Sequence, residues 1–257
     1  MPRKPRDLKP GYSYHVTTRC NNREFNLVRH ECREVFIYAI KQAMDKFDFK
    51  LYGICLMSNH VHYLLEPLLP EDLPKIMHWL NWYTAMCFNQ MLNRTGHFWE
   101  QRYYSLGFPK HDKRQALNTL RYIHANPKAA GMQQGFFYDF SNYGTYDRLS
   151  NDGLTKWHPA FLTMGKSLEE CAAKYRAFCK KYTPKSKPEK RYHWGSKMLP
   201  KVIKGKGKGK NKSSPGQMKL PWDNWEVADS EVRKVAEKFV MANCYDQKVA
   251  AQFFNDD

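Results

Sequence analysis

Two extended runs stand almost back to back, Lys50 to Cys55 and Met57 to Glu66, and together they commit the middle of the chain to a sheet. The second run, Met57-Ser58-Asn59-His60-Val61-His62-Tyr63-Leu64-Leu65-Glu66, is apolar, aromatic and β-branched enough to read as a buried strand. Strand side chains alternate with period two, so His60 and His62 leave the same face while Val61 packs behind them. Two parallel imidazoles are half of a divalent-metal site. They are also what two satisfied sheet histidines look like, and the dipeptide by itself leaves both readings open.

Sixty residues downstream, the segment Leu117-Asn118-Thr119-Leu120-Arg121-Tyr122-Ile123-His124-Ala125-Asn126-Pro127 carries Ala116, Leu117, Leu120 and Ile123 at helical spacing. Pro127 predicts an end or a sharp bend at Asn126. An i, i+4 spacing stacks Tyr122 and Asn126 on one helix face, so a phenol and an amide oxygen can be presented together to whatever holds the histidines. Asn126 is a candidate third, hard oxygen ligand and Tyr122 a candidate nucleophile. Among 16 tyrosines, it is the position relative to Asn126-Pro127 that singles this one out. His124 falls on roughly the opposite helix face and is assigned a structural or hydrogen-bonding role. His15, on the first predicted strand, is read as a sheet histidine bonded locally, and His97, His111, His158 and His193 lack partners at ligand spacing.

Four stretches, YHVTTRCNNREF from Tyr14, MSNHVHYLLEP from Met57, GHFWEQRYYS from Gly96 and LRYIHANPKAAGM from Leu120, recur in order over roughly residues 8 to 165. They resemble the single-tyrosine HUH transposases of the IS200-like superfamily, most closely the REP-associated tyrosine transposases. The resemblance implies that His60 and His62 are the metal-binding HUH pair, Tyr122 the catalytic tyrosine and Asn126 the polar third ligand. It implies cleavage of single-stranded DNA at or near a hairpin through a 5′-phosphotyrosine, leaving a free 3′-hydroxyl whose reattack rejoins a strand without ATP. Such chemistry suits Mg2+ or Mn2+: mixed nitrogen and oxygen ligation without thiolate argues against a closed structural zinc site. A cation there polarises the scissile phosphate. Two positions depart from the family pattern. Cys20 stands where glycine is usual, which is expected to alter a turn, and Ser141-Asn142-Tyr143 replaces a paired-serine motif, which is expected to alter a contact to DNA.

Elements follow from periodicity. Strand one is expected over Gly11 to Arg19, and a helix over Arg33 to Asp48 with Val35, Phe36, Ala39, Ile40, Ala43 and Phe47 inward. Pro67 and Pro70 punctuate before a long helix from Leu73 to Leu92, whose Ile76, Leu80, Tyr83, Met86 and Met91 are taken as mostly core. A last strand region spans Gly96 to Phe108, and the tyrosine helix Asp112 to Asn126. The order is compatible with an α+β fold. The architecture that the resemblance implies is the HUH endonuclease fold, a ferredoxin/RRM-like antiparallel sheet of four to five strands with helices on one face. Phe98, Trp99, Arg102, Tyr103 and Tyr104 interleave aromatic and basic character suited to stacking unpaired bases; Arg102 is read as a DNA contact and the rings as either stackers or core.

Charge divides the chain. Of 257 residues, 42 are Lys or Arg and 25 Asp or Glu, a formal net charge of +17 that predicts salt-sensitive binding to a polyanion. Residues 180–212 hold +12 of it and residues 213–257 hold −3, leaving +8 for residues 1–179. Three parts are expected: a catalytic domain over 1–179, a basic DNA-binding linker over 180–220 and a helical appendage over 221–257, with Val232, Val235, Ala236, Phe239, Val240, Val249 and Phe253 as its apolar set. The lysine-glycine run cannot bury enough apolar surface to offset its chain entropy. Lys204, Lys206, Lys208 and Lys210 within it join Arg19, Arg102 and Lys128 as candidate DNA contacts. Seven cysteines without a Cys-x-x-Cys pair point to reduced thiols and a cytoplasmic, nucleoid-associated protein. No apolar run suggests a membrane, and no nucleotide cofactor is implied. A monomer or a homodimer is expected. Alternatives are a replication or relaxase-type HUH nickase, which would more often carry two tyrosines or a helicase domain, and a domesticated binder of hairpin DNA or RNA, which has no need of a nucleophile.

Overall fold

The computed structural model describes residues 6–184. Four strands, β1 (Tyr12–Arg19), β2 (Phe49–Leu56), β3 (His60–Pro67) and β4 (Tyr104–Pro109), form one antiparallel sheet in the order β2-β3-β1-β4. The described helices are α1 (His30–Lys46), α2 (Asp72–Met91), α3 (Lys113–Ala129), α4 (Tyr143–Asp147), α5 (Pro159–Leu162) and α6 (Leu168–Lys180). The lysine-glycine run with Lys204, Lys206, Lys208 and Lys210, and the apolar set from Val232 to Phe253, lie outside the described residues.

The sheet belongs to the expected α+β class, but helices cover both of its faces rather than one. On β3, Tyr63 points toward α1, with its ring 6.1 Å from that of Phe36, and its neighbour Leu64 must therefore point the other way. There it meets α3: a Cβ at Gly53 would lie 3.1 Å from Leu120, 3.3 Å from Leu64 and 3.6 Å from Ile123. Tyr63, Leu64 and Leu65 are all buried, and a strand apolar on both faces needs a layer on each. The helix pair α1 and α2 supplies one layer. The second is α3 together with the C-terminal helices, whose Phe161 and Tyr175 pack around Tyr146.

Helix α1 begins three residues before Arg33 and ends at Lys46, with Val35, Phe36, Ala39, Ile40 and Ala43 buried as their spacing requires. The expected last strand region forms a strand only from Tyr104 onward. Ahead of it Phe98 and Trp99 turn into the core, the first 4.8 Å ring to ring from Phe88 and the second donating its indole N–H to Thr84 Oγ1 at 3.0 Å. That leaves one isolated bridge, Cys20 to Trp99, before β4.

Pro127 does not end α3, which runs on to Ala129. Proline removes the N–H that would have bonded the Ile123 carbonyl. The Asn126 side chain compensates, with Nδ2 donating to the Tyr122 carbonyl at 2.8 Å and to that of Ile123 at 3.4 Å. The helix then closes at Gly131, whose φ of 71° suits glycine, with Met132 N–H bonded back to the Pro127 carbonyl.

Candidate active site

Cross-strand register assembles the site on the α3 face of the sheet. Thr17 on β1 lies directly opposite His62, and Arg19 opposite His60. Facing residues of an antiparallel pair share a face, so His15, Thr17 and Arg19 project beside the two histidines. The His60 and His62 rings are 4.9 Å apart, and His15 stacks on His62 at 5.2 Å. Above them the Tyr122 ring presents an edge-to-face contact to both, 5.5 Å from His62 and 5.6 Å from His15. Asp112 starts α3 by accepting from the Gln115 N–H at 2.9 Å, and Leu120 and Ile123 clamp the helix to the strands at Gly53.

The hydrogen bonds orient the imidazoles. Nδ1 of His60 is 2.7 Å from Asn59 Oδ1, an acceptor, so Nδ1 carries the proton and Nε2 the lone pair. Nδ1 of His62 lies 3.1 Å from both His15 Nε2 and Thr17 Oγ1. When it donates to either, its Nε2 presents a lone pair as well. Holding the far nitrogen by a protein acceptor is how ligating histidines are oriented. With Asn126 Nδ2 spent on the helix carbonyls, Oδ1 is that amide's remaining polar atom. Two imidazole nitrogens and an amide oxygen are donors of a kind that suits a divalent cation. His15 Nε2 faces His62 Nδ1 at 3.1 Å. Burial lowers the His15 pKa to about 4, which keeps it neutral at ordinary pH, in the role of a positioning group for His62.

Tyr122 is 44% exposed, open enough to meet a macromolecular substrate. Partial burial raises its pKa above the ordinary tyrosine value, Tyr182 adds to the shift, and the Arg19 guanidinium opposes it. Beside the phenol opens a cleft of about 610 Å3, lined by His15, Tyr104 and Leu106 from the sheet and by Arg114, Gln115 and Asn118 from α3.

Other expected residues sit elsewhere. Arg102 is exposed but lines a separate cleft of about 510 Å3 on the α2 side, with Arg6, His78 and Trp82. Phe98, Trp99 and Tyr103 are buried, whereas Tyr104 is 62% exposed; only the last of these rings is free to stack on a base. Lys128 lies over the Phe136 ring at 5.4 Å. Asn142 is buried and reaches no surface that DNA could touch. Its Oδ1 accepts from the Ile54 N–H at 2.9 Å and its Nδ2 donates to the Tyr52 carbonyl at 3.0 Å. His124 Nε2, 3.0 Å from the same Oδ1, is therefore a donor, and its Nδ1 accepts from the Tyr175 hydroxyl at 2.7 Å. The structural role assigned to His124 is met by this tie between α3, β2 and α6. Cys20 is buried, with its N–H bonded to the Asn59 carbonyl at 2.8 Å.

His15, Thr17 and Asn59 are the site residues that sequence reasoning missed as such. Their signal was present in the alternation His15-Thr17-Arg19, but it has meaning only once β1 is paired with β3.

The family described as transposase IS200-like matches residues 9–126, a span that contains His60, His62, Tyr122 and Asn126. Over that span the chain is similar to this family. Among solved structures, the REP-associated tyrosine transposase bound to a REP hairpin shares the fold, with a TM-score of 0.50 and 16% identity over 61% of this chain and 89% of that one. No curated protein matches the chain.

Proposed function

We propose that the protein is a metal-dependent single-strand DNA endonuclease and strand transferase that acts at or near hairpin DNA, with Tyr122 as nucleophile. The observation that carries this reading is the edge-to-face packing of Tyr122 on His62, 5.5 Å apart within one chain, with His60 on the same strand face. In this reading one copy supplies both the nucleophile and the histidine pair, whether the protein works as a monomer or as a homodimer.

In the proposed reaction the Tyr122 oxygen attacks the scissile phosphorus, losing its proton as the new P–O bond forms. The bond from phosphorus to the 3′-oxygen breaks, and that oxygen leaves as a 3′-hydroxyl after taking up a proton. A 5′-phosphotyrosine remains, and attack on it by a 3′-hydroxyl reverses the sequence and rejoins a strand. His60, His62 and Asn126 would hold Mg2+ or Mn2+, which supplies Lewis-acid polarisation of the phosphate oxygens. His15 and Thr17 keep His62 in place, and Asn59 keeps His60. Arg19, beside His60 and close enough to Tyr122 to lower its pKa, neutralises phosphate and favours the phenolate. Arg102, Lys128 and the lysines at 204, 206, 208 and 210 bind DNA away from the reacting atoms.

Labelled single-stranded hairpin DNA incubated with the full chain and Mn2+ should give an adduct that survives denaturation. Tyr122→Phe should give none. Full activity in that variant would overturn the assignment of the nucleophile, and no adduct with the native chain on any hairpin substrate would overturn the cleavage reading.

A further inference from the structure

The cleft beside Tyr122 has a floor that the cleavage chemistry does not use. Register places Thr17 opposite both His62 on β3 and Tyr104 on β4, and His15 opposite Leu106. His62, Thr17 and Tyr104 therefore form a row on one face, with Tyr104 two strand spacings, about 10 Å, from His62. Tyr104 and Leu106 are 62% and 47% exposed on β4, an edge strand. An aromatic and a leucine left open on a sheet face are costly to hydrate and call for an occupant. The opposite wall is polar and basic, with Arg114, Gln115 and Asn118 from the first turns of α3. Asp112 also lines the cleft, but its Oδ1 is occupied in capping the helix.

We infer that this cleft is a binding site for unpaired DNA, with a base next to the scissile phosphate stacked on Tyr104, packed by Leu106, and with the adjoining phosphate met by Arg114. The inference rests on the cleavage reading for its placement next to the attacked phosphate, and it adds a subsite to it. Three features select single-stranded nucleic acid as the occupant. Tyr122 lines the cleft, so a strand attacked by its phenol has the cleft directly beside the reacting phosphate. Its more exposed tyrosine, Tyr104, offers a π-face that any base can use. Its Arg114 complements a phosphate, whereas an apolar peptide would leave the polar wall unpaired. A duplex has its bases stacked on one another and no free face for Tyr104.

The test uses the full chain carrying Tyr122→Phe, so that binding is read without cleavage. The probe is a short oligodeoxythymidylate with a single 2-aminopurine, moved along the strand. Binding should quench 2-aminopurine fluorescence. Adding Tyr104→Ala should abolish the quenching and weaken binding about five- to hundredfold, the range expected for one lost base stack. Tyr104→Phe should restore both, and Arg114→Gln should flatten the salt dependence while leaving the quenching in place. Native affinity and quenching in Tyr104→Ala would overturn the inference, as would equal competition by a duplex of the same sequence. The two readings fail separately: loss of the Tyr122 adduct with intact Tyr104-dependent quenching would remove the cleavage reading alone, and an adduct with no Tyr104 dependence would remove the subsite alone.

Discussion

The phenol of Tyr122 packs edge-on against His15 and His62, and its partial burial holds its proton more tightly than a solvated tyrosine would, while Arg19 pulls the other way. Below its raised pKa the phenolate fraction increases tenfold per pH unit. The initial rate of adduct formation should therefore keep rising through pH 9. Arg19→Gln removes a cation that opposes the shift, so its rate curve should move to higher pH and its rate at pH 8 should drop by up to about tenfold. Arg19→Lys should recover most of the loss. Superimposable curves for Arg19→Gln and the native chain would exclude Arg19 from the site's electrostatics.

Helix α3 is seated by two devices far from the reacting atoms. The first is the absence of a side chain at Gly53, where an added Cβ meets Leu64 Cβ on the neighbouring strand at 3.3 Å and Leu120 at 3.1 Å. Leu64 Cβ is held by the strand backbone, so the Leu120 side chain on α3 must give by a few tenths of an ångström. Gly53→Ala is expected to cost about 1–3 kcal/mol and to slow adduct formation while leaving DNA affinity unchanged. The second is Asn142, which satisfies the Ile54 N–H, the Tyr52 carbonyl and His124 at once. Asn142→Ala strands the Ile54 N–H and His124 Nε2 in the interior at about 1–3 kcal/mol for each unsatisfied group, while the Tyr52 carbonyl keeps the Tyr146 hydroxyl at 2.8 Å, so thermal melting should show a loss of several degrees or more. A melting temperature within a degree of native would refute the tie. Existence of α3 and the Tyr122–Asn126 pairing were legible in the local pattern. Its extension past Pro127 was not, because the compensating Asn126 bonds depend on rotamers that residue spacing does not specify.

Acid should unfold the whole body through its buried imidazoles. His124 and His158 each use one ring nitrogen as an acceptor, from Tyr175 and from the Ala160 N–H, and burial lowers both pKa values to about 4. Unfolded, they titrate near 6.5. The unfolded chain therefore binds more protons between those values, so their contribution is complete above pH 6.5 and is lost as pH falls through about 4. Denaturant melts should show stability declining steadily over that window, on the order of 3 kcal/mol per histidine, and His124→Gln should reduce the slope. At the scale of the full chain, residues 180–212 carry most of the net positive charge. Deleting residues 200–212 should weaken DNA binding and flatten its salt dependence without abolishing the adduct; unchanged affinity and slope would reject a gripping role for the lysine-glycine run. Described residues contain no helix long and apolar enough to cross a membrane.

By itself the sequence determined what backbone periodicity imposes over a few residues. His60 and His62 share a strand face, Tyr122 and Asn126 share a helix face, and the charge concentrates after residue 180. Tertiary structure alone decided which faces meet. The register that sets Thr17 between His62 and Tyr104, the seating of α3 on the opposite side from α1, and the burial of Phe98 and Trp99 beside an exposed Tyr104 all depend on packing between residues far apart in the chain. No local repeat encodes that packing, because a strand's alternation says only which side chains go together, not what they will face.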